Sequence, residues 1–130
     1  MADLKRLEVK YIRDGAKAAY IKEKECYVCG TDQELQLHHF HSLTLLWEKW
    51  KKEKGVTINE VSDIMEVRDT FVADHYQEMY KDVVTLCKLH HMDRLHKVYG
   101  KVPLLSTATK QKRWCDKRRE KEYKKDGLLE

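Results

Sequence analysis

Residues 82–91 read DVVTLCKLHH, and this stretch decides the fold of the chain. Its first half is rich in β-branched residues and predicts a strand that leads directly into Cys87. His90 follows three positions later, and this spacing repeats that of Cys26 and Cys29 in the earlier stretch CYVCG. Two residues between ligands let both side chains reach one tetrahedral ion. The two pairs therefore predict a structural zinc site with the ligands Cys26, Cys29, Cys87 and His90; four ordinary buried or surface residues are the alternative.

A second strand is predicted between these two pairs. Residues 34–39 read ELQLHH and alternate polar with apolar side chains, as a half-buried strand does. The adjacent residues His38 and His39 project to opposite sides of such a strand, so one can bind a metal while the other faces water. If one zinc ion joins the two pairs, this strand lies beside the segment that follows Cys87, and His91 comes close to both histidines. Incidental surface histidines are the alternative for either residue alone.

The composition is that of a small globular chain with few apolar residues. Its 130 residues are 42% hydrophobic and 37% charged, which predicts one domain over residues 1–130 with a core that a bound metal would stabilise. We find neither an apolar run of about 20 residues nor a secretory signal, so we expect a cytoplasmic protein with no membrane contact. In that reducing compartment the four cysteines favour metal ligation over disulfides. Cys115 has no partner at ligand spacing and is predicted to be an unpaired thiol.

The positive charge is concentrated towards the end of the sequence. The chain has a net charge of +4, but residues 110–125 contain nine basic residues against three acidic ones, a net +6. The rest of the chain is therefore slightly acidic. We interpret the basic C-terminal segment, residues 106–125, as a surface that follows a phosphate backbone. A solvated helix face is the alternative.

The sequence between the two predicted strands is helical in pattern. Apolar residues recur at spacings of three and four, and the tryptophans among them, Trp47 and Trp50, are predicted to pack in the core. Thr57 and Glu60 are predicted to form a capping box that starts a further helix. Residues 42–80 are therefore predicted to be a helical insertion.

Two more helical segments complete the predicted α+β fold. The residues after Asp14 and Gly15 are rich in Ala, Lys and Glu and predict a short lead-in helix. Residues 88–99 are predicted to form one helix that ends before Gly100.

The three motifs, in their order, resemble those of the HNH endonucleases. CxxCG, LxLHH and DVVTLCxxHH follow one another as in the small zinc-stapled forms found in bacteriophages, and the resemblance covers about residues 16–96. It implies a ββα-metal (HNH) core over about residues 16–100, in which a β-hairpin and a helix surround one divalent ion that binds the scissile phosphate. It also implies that His39 is the general base, which takes a proton from the attacking water, and that His38 and His91 bind the catalytic ion.

The residue at position 82 departs from the family pattern. Asp82 stands where the family has an asparagine that orients the base histidine. The resemblance then implies that Asp82 positions His39 through its backbone or side chain, or that it adds an anionic ligand to the catalytic ion. A carboxylate ligand would favour a hard ion, Mg²⁺ or Mn²⁺.

The helix after Cys87 contains two further departures. His90 stands where a fourth cysteine is usual, and its spacing assigns it to zinc. In the family the last histidine follows four positions after the ligand at position 91. Here that position is Leu95, and His96 is one position later. On an α-helix that offset turns His96 about 140° away from His91, so His96 is a second-rank candidate for the catalytic ion. Arg94 is a comparable candidate for phosphate contact.

The expected activity is metal-dependent hydrolysis of DNA phosphodiester bonds, either as nicking or as double-strand cutting. We expect zinc as structural ion, Mg²⁺ or Mn²⁺ as catalytic ion, DNA as partner, and a phage or host DNA-processing protein as a further candidate partner. The residues expected to hold the DNA phosphates are Arg94, Lys112, Arg113, Lys117, Arg118 and Arg119. The alternatives are a non-catalytic zinc-knuckle protein that binds nucleic acid, and a zinc protein whose insertion, residues 42–80, binds another protein.

Overall fold

The computed structural model describes residues 4–125, with side chains described for residues 7–122. The two ends of the predicted domain, residues 1–3 and 126–130, lie outside the described residues. The helices and strands are α1 (Leu4–Ala16), β1 (Leu35–His39), α2 (Leu43–Lys54), α3 (Val61–Asp74), β2 (Val83–Cys87), α4 (His96–Tyr99) and α5 (Ala108–Lys125). The shorter segments are the 3₁₀ turns Lys17–Ala19 and Leu105–Thr107 and the π-helical segments Gln77–Lys81 and Leu89–Leu95.

The two strands pair with each other in antiparallel orientation and form a two-stranded sheet. In this register Leu35 faces Cys87, so the start of β1 lies beside the end of β2, and His39 faces Val83. β2 continues after one residue into the π-helical segment 89–95. The predicted α+β class is confirmed in this form: a mixed fold with a small sheet and a Cys/His cluster.

The insertion packs with α1 into a helical layer of its own. Its core contains Trp47 and Trp50, which are stacked with ring centroids 5.6 Å apart, and Phe71, which meets both rings edge-on. The prediction that these tryptophans pack in the core is confirmed. The buried Glu8 carboxylate accepts hydrogen bonds from Trp47 Nε1 at 2.9 Å and Lys51 Nζ at 2.8 Å, which satisfies its charge in the layer.

A second apolar cluster lies under the sheet and α5. It is formed by Cys26, Val28, Phe40, Leu86, Cys87, Leu95 and Cys115. Two of these residues belong to the predicted zinc set, so the core of this half of the molecule is small and includes sulfur ligands. A bound metal would contribute much of its stability, as the composition suggested.

Two predicted helix starts are wrong. The first helix, α1, does not begin after Gly15 but ends just beyond it, at Ala16. Ile12 and Ala16 bury the apolar face of this helix in the helical layer. Gly15 suits this place because a Cβ there would come within 3.0 Å of the Arg68 side chain. α3 begins after Glu60, since the Asp63 carboxylate accepts from the Glu60 backbone N–H at 3.1 Å; this pair forms the capping box that was predicted for Thr57.

The predicted helix over residues 88–99 is wrong in its type. Residues 89–95 form a π-helical segment, in which the backbone N–H of His96 donates to the carbonyl of His91. This hydrogen bond spans five residues, whereas the hydrogen bond of an α-helix spans four, so the turn contains one extra residue. α4 then continues from His96 to Tyr99. The change in periodicity alters which residues share a face.

Candidate metal centres

The first centre is formed by Cys26, Cys29, Cys87 and His90, whose ligand atoms all lie within 4.8 Å of one another. Cys29 Sγ is 3.9 Å from Cys87 Sγ, and His90 Nδ1 is 3.3 Å from Cys87 Sγ and 3.9 Å from Cys26 Sγ. Tetrahedral zinc with its usual bond lengths requires about 3.8 Å between sulfurs and about 3.5 Å between sulfur and nitrogen. These three separations lie within about 0.4 Å of those values, and the remaining pairs lie within 4.8 Å, so the set suits a zinc ion.

Local structure explains how the first pair reaches the second. The loop that carries Cys26 and Cys29 turns at Gly30, whose φ of 76° lies in the left-handed region. The Tyr27 backbone N–H donates to the Thr85 carbonyl at 2.9 Å and ties this loop to β2. Cys87 ends that strand, so the loop and the strand present their sulfurs to the same point.

The thiols of this centre differ in acidity. Burial opposes the ionisation of Cys26, but hydrogen bonds from His90 and from backbone groups outweigh it and lower the pKa of Cys26 to about 6. Burial and the neighbouring thiols raise the pKa of Cys29 to about 12. One thiolate is stable here, whereas several together need a cation. Three thiolates and one imidazole are a donor set that suits zinc.

The second centre is formed by His38, His91 and His96, whose ligand nitrogens also lie within 4.8 Å of one another. His91 Nε2 is 3.1 Å from His38 Nδ1 and 3.1 Å from His96 Nε2. His38 comes from β1 and the other two from the helical segment after β2. Pairing of the strands therefore brings the three rings together.

The other ring nitrogen of each histidine has a hydrogen-bond acceptor. His38 Nε2 donates to Gln111 Oε1 at 2.7 Å, and His96 Nδ1 donates to the Gly100 carbonyl at 2.8 Å. His91 Nδ1 lies 2.8 Å from Gln36 Oε1. With these protons directed outwards, the nitrogens that face one another carry lone pairs. Metal-binding histidines generally have such outer partners, which fix the tautomer.

Burial keeps two rings of this centre, His38 and His91, neutral. Burial, helped by the charges of neighbouring histidines, lowers the pKa of His38 to about 3, against the hydrogen bond to Gln111, and lowers the pKa of His91 to about 4. At neutral pH these rings are unprotonated, so their lone pairs are available to a cation. Three nitrogen atoms and no carboxylate oxygen form this set.

His39 lies beside the second centre and faces the other side of β1. Its Nε2 lies 3.0 Å from the Met79 carbonyl oxygen, and its ring centroid is 5.1 Å from that of Tyr20. A carbonyl only accepts, so Nε2 carries the proton and Nδ1 the lone pair. Burial lowers the pKa of His39, and the nearby Arg13 charge acts in the same direction.

Asp82 lies next to His39 through its backbone, since its carbonyl accepts from the Phe40 N–H at 3.2 Å, but its side chain points to other partners. The Asp82 carboxylate accepts a hydrogen bond from Gln77 Nε2 at 2.9 Å and lies 3.7 Å from His41 Nδ1. Within residues 4–125 no hydrogen bond joins Asp82 to the His39 ring, and Asp82 is not in the histidine cluster. The group that holds His39 is instead the carbonyl of Met79, which no side-chain pattern could have indicated.

The expectation that His96 turns away from His91 is wrong, while its role as a ligand stays a prediction. The 140° offset applies to an α-helix, but the π-helical segment adds a residue to the turn and returns His96 to the side of His91. The sequence also gave no indication of the outer partners Gln36 and Gly100. Gln111 had a weak signal, because it is an uncharged residue within the basic run KQKR and lies four positions before the apolar Cys115.

The predicted DNA-binding residues fall into two groups. Arg94, Lys112, Arg113 and Lys117 are exposed. Arg118 lies over the Trp114 ring at 5.3 Å, and Arg119 donates to the Tyr27 carbonyl at 2.8 Å with its guanidinium 4.6 Å from the Tyr27 ring. Arg119 therefore attaches α5 to the loop of the first centre, while the exposed group is available to a ligand.

A cavity of about 380 Å³ lies between α5 and the sheet. Lys112 and Arg119 line it together with the carboxylates of Glu23, Glu25 and Asp116. This mixture of charges does not favour phosphate, so the outer face of α5 suits a nucleic-acid backbone better than this cavity.

Comparison with known proteins identifies one family. The phage T5 nicking endonuclease family, described as the nicking endonuclease family, matches residues 2–128. No solved structure matches the chain. Within residues 4–125, the helices are all too short or too polar to cross a membrane.

Proposed function

This chain belongs to the nicking endonuclease family, and we propose that it hydrolyses DNA phosphodiester bonds by the HNH (ββα-metal) mechanism, cutting one strand. The family supports DNA cleavage and a phage nuclease. The HNH mechanism, the roles of the residues and the choice of ions are our proposal.

One observation carries the proposal: the ring nitrogens of His38 and His96 both lie 3.1 Å from His91 Nε2, and the next residue after His38, His39, has a ring whose Nε2 faces a carbonyl. A protein that only binds nucleic acid through a zinc knuckle does not need this second set. Lone pairs at such distances repel each other unless a cation or a proton lies between them. We therefore assign His38, His91 and His96 as ligands of the catalytic ion.

His39 is the proposed general base. The Met79 carbonyl keeps the proton on Nε2, so Nδ1 is the atom that takes a proton from the attacking water. Its lowered pKa means that the ring is unprotonated at neutral pH. The bound ion supplies positive charge to the phosphate and to the leaving oxygen.

The donor set bears on the choice of catalytic ion. Mg²⁺ prefers oxygen ligands, whereas imidazole suits first-row transition metals. The Asp82 carboxylate was expected to favour a hard ion, Mg²⁺ or Mn²⁺, but Asp82 is not in the cluster, and Mn²⁺ is the transition metal of the two. Of the two expected ions we therefore propose Mn²⁺.

The first centre is proposed to hold a structural zinc ion. Cys26, Cys29, Cys87 and His90 would use all four positions of a tetrahedral ion, and a closed site of this kind stabilises a fold without taking part in the reaction. This ion would tie the loop before β1 to β2 and to the π-helical segment. It would therefore fix His38 relative to His91.

DNA is proposed to bind across Arg94 and the exposed face of α5. Lys112, Arg113 and Lys117 are exposed on that helix, Lys112 at the edge of the cavity, and the buried Gln111 of the same helix reaches the second centre. Phosphates held by these cations would lie along the exposed side of α5. Such contacts position the enzyme without reading the base sequence.

Plasmid nicking tests the proposal. We expect purified protein with zinc and Mn²⁺ to convert supercoiled plasmid to open circles, and His39→Ala to lose this activity while it retains zinc and its circular-dichroism spectrum. The matched control is His41→Ala, which removes a neighbouring histidine outside both clusters and should still nick. Absence of nicking by the wild type with any divalent ion, or full activity of His39→Ala, would contradict the proposal.

A further inference from the structure

Gln111 is a fully buried polar residue on an otherwise basic helix, α5. Its amide makes three hydrogen bonds. Nε2 donates to the Phe40 carbonyl at 3.1 Å and to Thr107 Oγ1 at 2.9 Å, and Oε1 accepts from His38 Nε2 at 2.7 Å. Both ends of the amide are thus engaged, and one of them touches the second centre.

The direction of each of these hydrogen bonds is determined by its partners. The Phe40 carbonyl can only accept, so the group that faces it must be the NH₂ of Gln111. The Thr107 hydroxyl donates to the Leu104 carbonyl at 2.6 Å and therefore accepts from the same NH₂. Turning the amide over would place two oxygens 3.1 Å apart. Oε1 must therefore face His38, and His38 Nε2 must carry the proton.

We propose that Gln111 is a positioning residue that holds His38 in the Nε2–H tautomer and so presents the Nδ1 lone pair to His91 and His96. The inference depends on the proposed function only in taking the three histidines as a metal site. The other tautomer would leave Oε1 and an unprotonated nitrogen facing each other at 2.7 Å. It would also place a proton where the ion is to bind.

The location of Gln111 gives this contact a further consequence. Lys112 and Arg113 follow it on the exposed face of the same helix, where DNA phosphates are proposed to bind. Correct docking of α5 is therefore a condition for a correctly oriented His38. The helix that would hold the substrate also orients a ligand of the ion.

The tautomer can be measured directly by long-range ¹H–¹⁵N correlation of the imidazole nitrogens, in protein loaded with one zinc ion and with the second centre metal-free. We expect His38 of the wild type to be protonated at Nε2 alone. Gln111→Met, which has similar length and no hydrogen-bonding amide, should give a mixture of tautomers. It should also bind Mn²⁺ about 10- to 100-fold more weakly in calorimetric titration, the usual effect of losing an outer partner of a metal-binding histidine.

The matched control is Thr107→Val. It removes the other side-chain partner of Gln111 but leaves the bond to His38. We expect Thr107→Val to leave the His38 tautomer and the Mn²⁺ affinity unchanged. If the network had only a structural role, both variants should affect Mn²⁺ binding alike. A folded Gln111→Met protein with wild-type tautomer and affinity would overturn the proposal.

Two further outcomes separate this test from the folding of the variant and from the test of the proposed function. If Gln111→Met does not fold, the wild-type spectrum decides, because a His38 proton on Nδ1 overturns the proposal by itself. If the tautomer is as expected but the wild type nicks no DNA with any ion, the proposed function fails while the positioning role stands.

Discussion

His91 and His96 bring their Nε2 atoms to 3.1 Å from each other although His96 is the fifth residue after His91. In an α-helix this offset would separate the two rings by about 140°. The π-helical segment 89–95 removes the separation, and π-helical turns are found frequently at functional sites. The extra residue in this turn therefore brings His96 to the side of His91, although His96 lies one position after the place that the resemblance to HNH endonucleases implies.

Deletion of Met92 tests this explanation. Met92 is exposed and lies between the two histidines, so its removal should return the segment to α-helical bonding with His96 four positions after His91. We expect the deletion variant to retain Mn²⁺ binding in calorimetric titration and to lose the π-helical turn in its crystal structure. His96→Ala, which keeps the turn and removes a ligand, should bind Mn²⁺ at least about 10-fold more weakly. A folded deletion variant that binds no Mn²⁺ would contradict the explanation.

The first centre predicts a sharp difference between cysteines. Cys87→Ser should lose zinc and the cooperative unfolding transition, because structural zinc contributes about 10–16 kcal/mol of apparent binding energy in small zinc domains. Cys115→Ala removes a more deeply buried thiol that is not one of the four proposed zinc ligands. It should retain zinc and lose only about 1 kcal/mol of stability. Zinc content by mass spectrometry and thermal unfolding measure both, and zinc retention by Cys87→Ser would exclude the proposed ligand set.

The pH dependence of nicking tests the role of His39. A general base must be unprotonated, so the rate rises with pH through its pKa. Burial lowers the pKa of His39, which moves the acidic limb of the profile below the ordinary histidine value of about 6.5. Burial lowers the pKa of His38 to about 3 and that of His91 to about 4, and saturating Mn²⁺ would occupy both rings, so the acidic limb should report on His39. A midpoint at or above about 6.5 would argue against His39 as the base.

The sequence indicated the local parts of both centres. The Cys-x-x-Cys and Cys-x-x-His pairs need only short-range geometry, and the alternation of β1 separates His38 from His39 without knowledge of the rest of the fold. The roles assigned to these residues remain predictions. Their arrangement in space, however, is the one that two paired strands and one metal-linked loop would produce.

The features that the sequence did not indicate depend on backbone groups or on distant elements. The Met79 carbonyl that holds His39 belongs to a π-helical segment whose position depends on packing in the helical layer. Gln111 reaches His38 across 73 positions of sequence, because α5 buries Cys115 in the second apolar cluster. No local pattern specifies either contact.

The contrast between Lys117 and Arg119 tests the proposed DNA surface. Both are basic residues on α5, but Lys117 is exposed and Arg119 donates to the Tyr27 carbonyl and covers the Tyr27 ring. Lys117→Gln should weaken DNA binding equally for all sequences and reduce the slope of log K against log salt concentration by about 1, with an unchanged melting temperature. Arg119→Gln should lower the stability, by about 1–3 kcal/mol, since it leaves a carbonyl without its charged donor and removes a cation–π contact. Fluorescence anisotropy with a labelled duplex at several salt concentrations, paired with thermal unfolding, measures the two effects. Binding that is insensitive to Lys117→Gln, and equally to Lys112→Gln and Arg113→Gln, would place the phosphates elsewhere than on the outer face of α5.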